Sequence, residues 1–131
     1  MLNILVGGAV LFVFGAVWFM GLFGKTWARL NGFDTSGKMS MSNMAKPIAI
    51  NFLMQVLASM ATYYLFPQVL ALSFSGFWFT MFVIWAGFSL PIYMNQYLWE
   101  RKSFNLVLLN SVYGVIATAI ISAIVYNWPI K

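Results

Sequence analysis

Nine charged residues among 131, and the way they are bunched, constrain this chain more than any other feature. Residues 1–24 carry no charge; Lys25, Arg29, Asp34, Lys38 and Lys46 then fall in one stretch. Residues 47–99 are again uncharged, Glu100, Arg101 and Lys102 form a cluster, and only Lys131 follows. A bilayer-crossing helix needs about 20 apolar residues, so the first and last uncharged runs hold one helix each and the 53-residue middle run holds two. Composition agrees: 63% of the residues are hydrophobic and 7% charged, where a soluble domain carries about 25% charged residues. A chain this short cannot bury that much apolar surface in one core, so the excess faces lipid.

The fold class predicted is all-α integral membrane, a single four-transmembrane-helix bundle. The spans fall at about 3–24, 47–66, 76–98 and 104–127, with basic loops at 25–46 and 99–103. The break inside the middle run is placed at Pro67 and the Ser73-Phe74-Ser75-Gly76 patch. Pro91 lies inside the third span and predicts a kink, since it removes one backbone donor.

Lys and Arg set the orientation. The two basic loops hold six of the seven, against Lys131 on the opposite side. This asymmetry predicts a multi-pass protein with both termini outside and both basic loops cytoplasmic, and it disfavours a dual-topology antiparallel dimer. Without a positive n-region or a small-residue cleavage site, the first hydrophobic run reads as a membrane helix rather than a cleaved signal peptide. Trp27 and Trp99 fall at the inner interface and Trp78 and Trp128 at the outer one, while Trp18 and Trp85 lie deeper and need a packing or polar partner.

Counting residue types removes whole chemistries. The chain has no Cys and no His, so disulfides, thiolate nucleophiles and His-based metal or haem sites are absent. Asp34 and Glu100 are the only carboxylates and lie far apart in sequence. No catalytic residue, metal or cofactor is expected, and Glu100 with Tyr113 is the one conceivable acid–base pair near an interface. The net charge of +5 is read as membrane topology, not as an affinity for nucleic acid. No ionisable residue sits mid-span, which disfavours proton-coupled transport, and no internal repeat supports an inverted-repeat transporter.

Neutral polar residues do form stripes. Asn51, Gln55, Ser59 and Thr62 share one face of the second span, and Asn110, Gly114, Thr118 and Ser122 one face of the fourth. Asn95 and Gln96 end the third span, one turn beyond Pro91. Such stripes are the usual glue of membrane helices, with a polar pathway or bound polar ligand as the alternative. The run Met39-Ser40-Met41-Ser42-Asn43-Met44 offers three thioethers; covering a membrane-surface segment accounts for them better than a copper(I) site does. Lys25 and Arg29, one turn apart around Trp27, predict that the first helix runs on into the interface and stops near Gly32, its cations setting topology or touching lipid phosphate.

The segment Gly21-Leu22-Phe23-Gly24-Lys25-Thr26-Trp27, continuing to Arg29-Leu30-Asn31-Gly32, resembles the first-helix signature of a bacterial membrane family catalogued as domain of unknown function 1761. A second stretch resembles that family's other signature, from Trp85-Ala86-Gly87-Phe88 through Pro91, Asn95 and Trp99-Glu100-Arg101-Lys102 to Asn110 and Tyr113. The resemblance covers nearly the whole chain and does not include the Met-rich loop. It implies a stand-alone four-helix protein of the bacterial inner membrane, with no activity to carry over. It points to Gly24, Lys25 and Trp27 at the first inner interface and to Pro91, Asn95, Glu100, Arg101, Asn110 and Tyr113 around the last turn. The expected arrangement has Glu100 pairing with Lys25 or Arg29, and Asn95 hydrogen-bonding to Asn110 across the kink.

The functional expectation is a non-enzymatic membrane protein that acts as a homo-oligomer or as an accessory subunit of a larger membrane complex. Gly8, Gly15 and the small-residue face of Gly114, Thr118 and Ser122 are its packing surfaces. The alternative is a small-solute or ion channel formed at an oligomer interface and lined by Asn51, Gln55, Asn95 and Asn110.

Overall fold

The computed structural model describes residues 1–33, 41–69 and 73–128, with side chains described for all of these except 41–44, 47 and 66–69. Helix α1 (Leu2–Ala16) runs directly into a π-helical turn (Val17–Leu22). Helices α2 (Gly24–Asn31), α3 (Met41–Val69), α4 (Phe74–Leu98) and α5 (Phe104–Asn127) follow. Among the described residues, four segments are long and apolar enough to cross a membrane: Leu2–Leu22, Ile48–Leu65, Phe74–Leu98 and Phe104–Asn127. Large apolar side chains line the outside, Phe79 and Phe88 being 68% and 75% exposed. That outward apolar surface suits lipid and not water. The protein is an all-α multi-pass membrane bundle.

Local chemistry sets where the helices begin and end. The Ser73 hydroxyl caps α4 by accepting from the Gly76 N–H, and the Ser103 hydroxyl caps α5 by accepting from the Leu106 N–H. Gly32 ends α2 with φ +75°, while the Phe33 N–H bonds back to the Ala28 carbonyl and the Gly32 N–H to that of Arg29. This is a Schellman termination, which favours glycine at that position. The first membrane helix does not run smoothly to this stop. The Phe23 N–H reaches the Trp18 carbonyl at 2.9 Å, closing the wide turn, and Phe23 (φ −119°, ψ 11°) breaks the helix before α2. A Cβ at Gly24 would lie 3.1 Å from the Phe19 carbonyl oxygen, so glycine suits the restart.

Proline behaves differently from the sequence expectation at one point. α3 passes through both Pro47 and Pro67 and ends at Val69, where a break at Pro67 was expected. Near a helix end, proline forfeits a single backbone bond, which ends with access to the interface can tolerate. α4 also continues through Pro91. The carbonyl that its ring crowds belongs to Gly87, a position with open space around it.

Two helix pairs form the body of the bundle. α1 and α3 pack antiparallel: a Cβ on Gly8 would stand 2.7 Å from the Val56 Cα, and one on Gly7 would collide with the Ser59 hydroxyl. Phe12 and Phe52 meet edge to face beside this crossing, centroids 5.6 Å apart. α4 and α5 pair through Trp85, whose indole N–H edge fills the space a side chain on Gly114 would need. The core between the pairs includes Leu11, Tyr63, Phe77, Met81, Ile121 and Val125. α5 touches both α1 and α3, whereas α3 and α4 barely meet. One end of the bundle is tied where the Trp128 carbonyl accepts from Asn3 Nδ2 (3.2 Å) and the Tyr63 hydroxyl (3.1 Å). The opposite end carries α2 and the α4–α5 turn, with Lys25, Arg29, Arg101 and Lys102.

The Gly8 crossing makes a direct prediction. Gly8→Val forces the α1 and α3 backbones apart and should lower stability by about 1–3 kcal/mol, as overpacking does. Gly87→Ala, on an open helical surface, should be neutral or stabilising by up to about 1 kcal/mol. Thermal melting of both variants in one detergent measures the contrast.

Candidate functional site

Because α3 and α4 diverge, a cleft of about 520 Å³ opens sideways between them, with α5 and α1 as its floor. Its walls are mostly apolar, with polar groups contributed by Gln55 and Thr62 of α3, Ser89 of α4, and Tyr113 and Thr118 of α5. The polar stripes expected on the second and fourth spans therefore converge here in part. Gln55 and Tyr113 both line the cleft, which brings the two stripes to one surface across α3 and α5. Among the described residues the lining includes no carboxylate, Lys or Arg. Such a surface can orient a neutral polar group within an apolar environment; it has no group set up for proton transfer near neutral pH.

Tyr113 is held in place by aromatic rings. Phe14 stacks on it with centroids 5.3 Å apart and planes within 6°. Phe19 lies at 4.7 Å and Trp18 at 6.2 Å. A Cβ on Gly15 would stand 3.1 Å from the Tyr113 hydroxyl, so the phenol approaches the α1 backbone closely. The wide turn at Val17–Leu22 carries Trp18 and Phe19 around this ring. Trp18 then meets Phe23 at 4.6 Å, and Phe19 meets Trp27 at 5.8 Å. Aromatic contacts thus extend from the cleft to α2.

The remaining sequence-selected residues divide. Asn51 and Asn95 are exposed, and Gln96 and Asn110 are half-buried outside the α3–α4 cleft. Asn95 and Asn110 share no hydrogen bond among the described residues, so the expected tie across the Pro91 turn does not form. Glu100 is exposed and pairs with neither Lys25 nor Arg29 among the described residues. The contact between those segments is instead Lys102 Nζ donating to the Asn31 carbonyl at 3.4 Å. Arg101 adopts φ 55° in this turn, where the Lys102 N–H bonds to the Gln96 carbonyl, and both Glu100 and Arg101 stay on the outside. Trp27 is half-buried and Lys25 and Arg29 are exposed on α2. Residues 34–40 of the basic loop, with Met39 and Ser40, lie outside the described residues, as do the side chains of the other thioether-run residues, Met41 to Met44.

The small residues assigned to partner contacts are used within the chain. Gly8 meets α3, Gly15 meets Tyr113, and Gly114 meets Trp85; Ser122 is fully buried. Faces with a 3.6-residue period are legible in sequence, but which neighbour each face meets is not. The polar stripes also work differently from interhelical glue. The Ser59, Ser111 and Ser122 hydroxyls are buried without a hydrogen-bond partner, as are the indole N–H groups of Trp18 and Trp85. Thr62 bonds back to the Ala58 carbonyl in its own helix at 2.9 Å. What Ser59 contributes to the α1–α3 crossing is its small volume. Sequence reasoning assigned no role to Ser89; a lone hydroxyl next to Pro91 gives no signal of a cleft.

Comparison with known proteins gives one family. A sequence profile described as "Protein of unknown function (DUF1761)" matches residues 2–126. No curated protein and no solved structure matches the chain. The chain belongs to the DUF1761 family.

Two substitutions separate hydrogen bonding from volume. Tyr113→Phe keeps the stacked ring and removes the hydroxyl that approaches Gly15 in a cleft lined by Gln55, which should cost at most about 1 kcal/mol. Ser59→Ala removes a hydroxyl that has no partner and should leave stability unchanged or raise it slightly. Denaturation midpoints in detergent read out both.

Proposed function

We propose that this protein is a non-catalytic membrane component that works by assembly, its α3–α4 cleft receiving a transmembrane helix from a second copy or from a larger membrane complex. The supporting observation is the separation of α3 from α4, which leaves a side-open cleft of about 520 Å³ with a Gln55–Tyr113 polar floor. Membrane helices associate through close packing and interhelical hydrogen bonds rather than through a hydrophobic driving force. A bundle with one pair of helices splayed apart has unused packing capacity on that side. Gly8, Gly15 and Gly114 are already occupied by contacts inside the chain, which leaves them unavailable to a partner.

In this reading the protein sits in a bacterial inner membrane, with the end that carries Lys25, Arg29, Arg101 and Lys102 in the cytoplasm. The family description carries no activity, and the lining of the cleft supports binding rather than turnover. A second reading, a solute pathway between paired copies, follows if two clefts face each other, because Gln55 and Tyr113 would then line a shared polar surface.

Cysteine cross-linking tests assembly without interference, since the chain has no native Cys. Phe88→Cys places a thiol at the exposed cleft rim, and Val13→Cys places one on an exposed position of α1. Oxidative cross-linking in native membranes should give a discrete product for Phe88→Cys and none for Val13→Cys. A monomer at both positions, or equal products at both, would rule out the cleft as an interface between copies. Solute flux into liposomes then decides whether a homodimer conducts.

A further inference from the structure

A second cleft, of about 350 Å³, lies at the basic end of the bundle between α2 and the first two turns of α5. Thr26, Arg29 and Leu30 line it from α2, at positions i, i+3 and i+4 of one helical face. Asn105, Leu108, Leu109 and Val112 line it from α5, again along one face. Trp18 and Phe23, on either side of the helix break, close the inner wall. Along α5 the lining runs from Asn105 at the basic end to Leu108, Leu109 and Val112, while Thr26, Arg29 and Leu30 face it from α2. Asn105 and Val112 are seven residues apart, about 10 Å along the α5 axis.

We propose that this cleft is a binding site for an anionic phospholipid, with its phosphate against Arg29 and its acyl chain along Leu108 and Val112. Three observations carry this assignment, none of which depends on the assembly role of the α3–α4 cleft. The polar-to-apolar gradient follows the order of groups in a lipid that enters a bilayer from its interface. Leu108 and Val112 are each 49% exposed, so the apolar part is open to the surrounding acyl chains. Among the described residues the charge at the mouth is positive: Arg29 lines it and Lys102 is tethered to the Asn31 carbonyl in the last turn of α2.

Headgroup chemistry follows from that charge. A guanidinium offers paired donors that match phosphate oxygens, which a Lys ammonium does not. Lipids with a choline or ethanolamine headgroup would bring an ammonium towards Arg29 and Lys102, with no carboxylate among the described lining residues to meet it. A phosphatidylglycerol headgroup, with phosphate and neutral hydroxyls, brings no such repulsion, and Thr26 and Asn105 can bond those hydroxyls. A basic residue near an anionic membrane surface gains about 1 kcal/mol, so this pair of cations gives a preference of about thirtyfold.

Delipidated full-length protein in a neutral detergent, titrated with phosphatidylglycerol or phosphatidylcholine and followed by native mass spectrometry and thermal melting, tests the site. Wild type should retain one phosphatidylglycerol in preference to phosphatidylcholine by about thirtyfold, and its melting temperature should rise with phosphatidylglycerol. Arg29→Gln, which leaves Lys102, should reduce the preference to about fivefold. Lys25→Gln removes the same charge from an exposed α2 position outside the cleft lining and should keep the preference. Val112→Trp fills the apolar end and should lose the one-to-one adduct with either lipid. Should that variant fail to fold, the Arg29 and Lys25 pair carries the test alone. No headgroup preference in wild type would overturn the assignment. Equal losses in Lys25→Gln and Arg29→Gln would overturn it as general surface attraction. Stabilisation by inorganic phosphate equal to that by the lipid would reassign the site to a free anion.

Discussion

How closely two backbones can approach decides which helices of this protein pair. Lipid chains are as apolar as leucine, so burying side chains between membrane helices gains little over leaving them in the bilayer. What remains is dispersion, which needs atoms within contact distance. At Gly8 even a methyl group would stand 2.7 Å from the Val56 backbone, and at Gly114 it would occupy the position of the Trp85 indole. Those contacts fix α1 on α3 and α4 on α5. The rest of the architecture is the way two such pairs lean on each other through α5.

The two pairs are not closed into a symmetric bundle. α5 meets both α1 and α3, and no comparable contact draws α4 onto α3. The side-open cleft results from a close-packing surface being present on three sides and missing on the fourth. The cleft at the basic end has a separate cause. The wide turn at Val17–Leu22 and the break at Phe23 place α2 against α5 and leave room between Arg29 and Asn105. The clefts differ accordingly: the first has a neutral polar floor within apolar walls, the second a cation at its mouth and an apolar interior.

The spacing of charge made the number and kind of the long helices legible, because a charge in the hydrocarbon region is costly and its absence over about 20 residues is informative. The convergence of Gln55, Thr62, Tyr113 and Thr118 was legible in part from their helical spacing, and the cleft they line was not. Asn51 shares the spacing of Gln55 and Thr118 that of Ser122, yet Asn51 is exposed and Ser122 buried. A stripe predicts a face, and only the rotation and crossing of neighbouring helices decide how far along the helix that face stays covered. The helix break was hidden for a different reason. Val17-Trp18-Phe19-Met20-Gly21-Leu22 is apolar throughout, and apolar residues in lipid give no period by which a wide turn differs from an ordinary one.

That turn also links the two clefts. Trp18 forms part of the inner wall of the basic-end cleft and lies 6.2 Å from Tyr113, which stands in the floor of the α3–α4 cleft. Phe14 stacks on the same tyrosine from α1, so the rings of Phe14, Trp18 and Tyr113 pack as one group between the two spaces. Interiors packed at crystal-like density rearrange in discrete steps rather than by continuous deformation. A turn with an extra residue per repeat is a common place for helices to accommodate such a step, and here it carries the shared ring. The residues that shape one cleft therefore belong to the packing unit that shapes the other, and a substitution at Trp18 or Tyr113 acts on both.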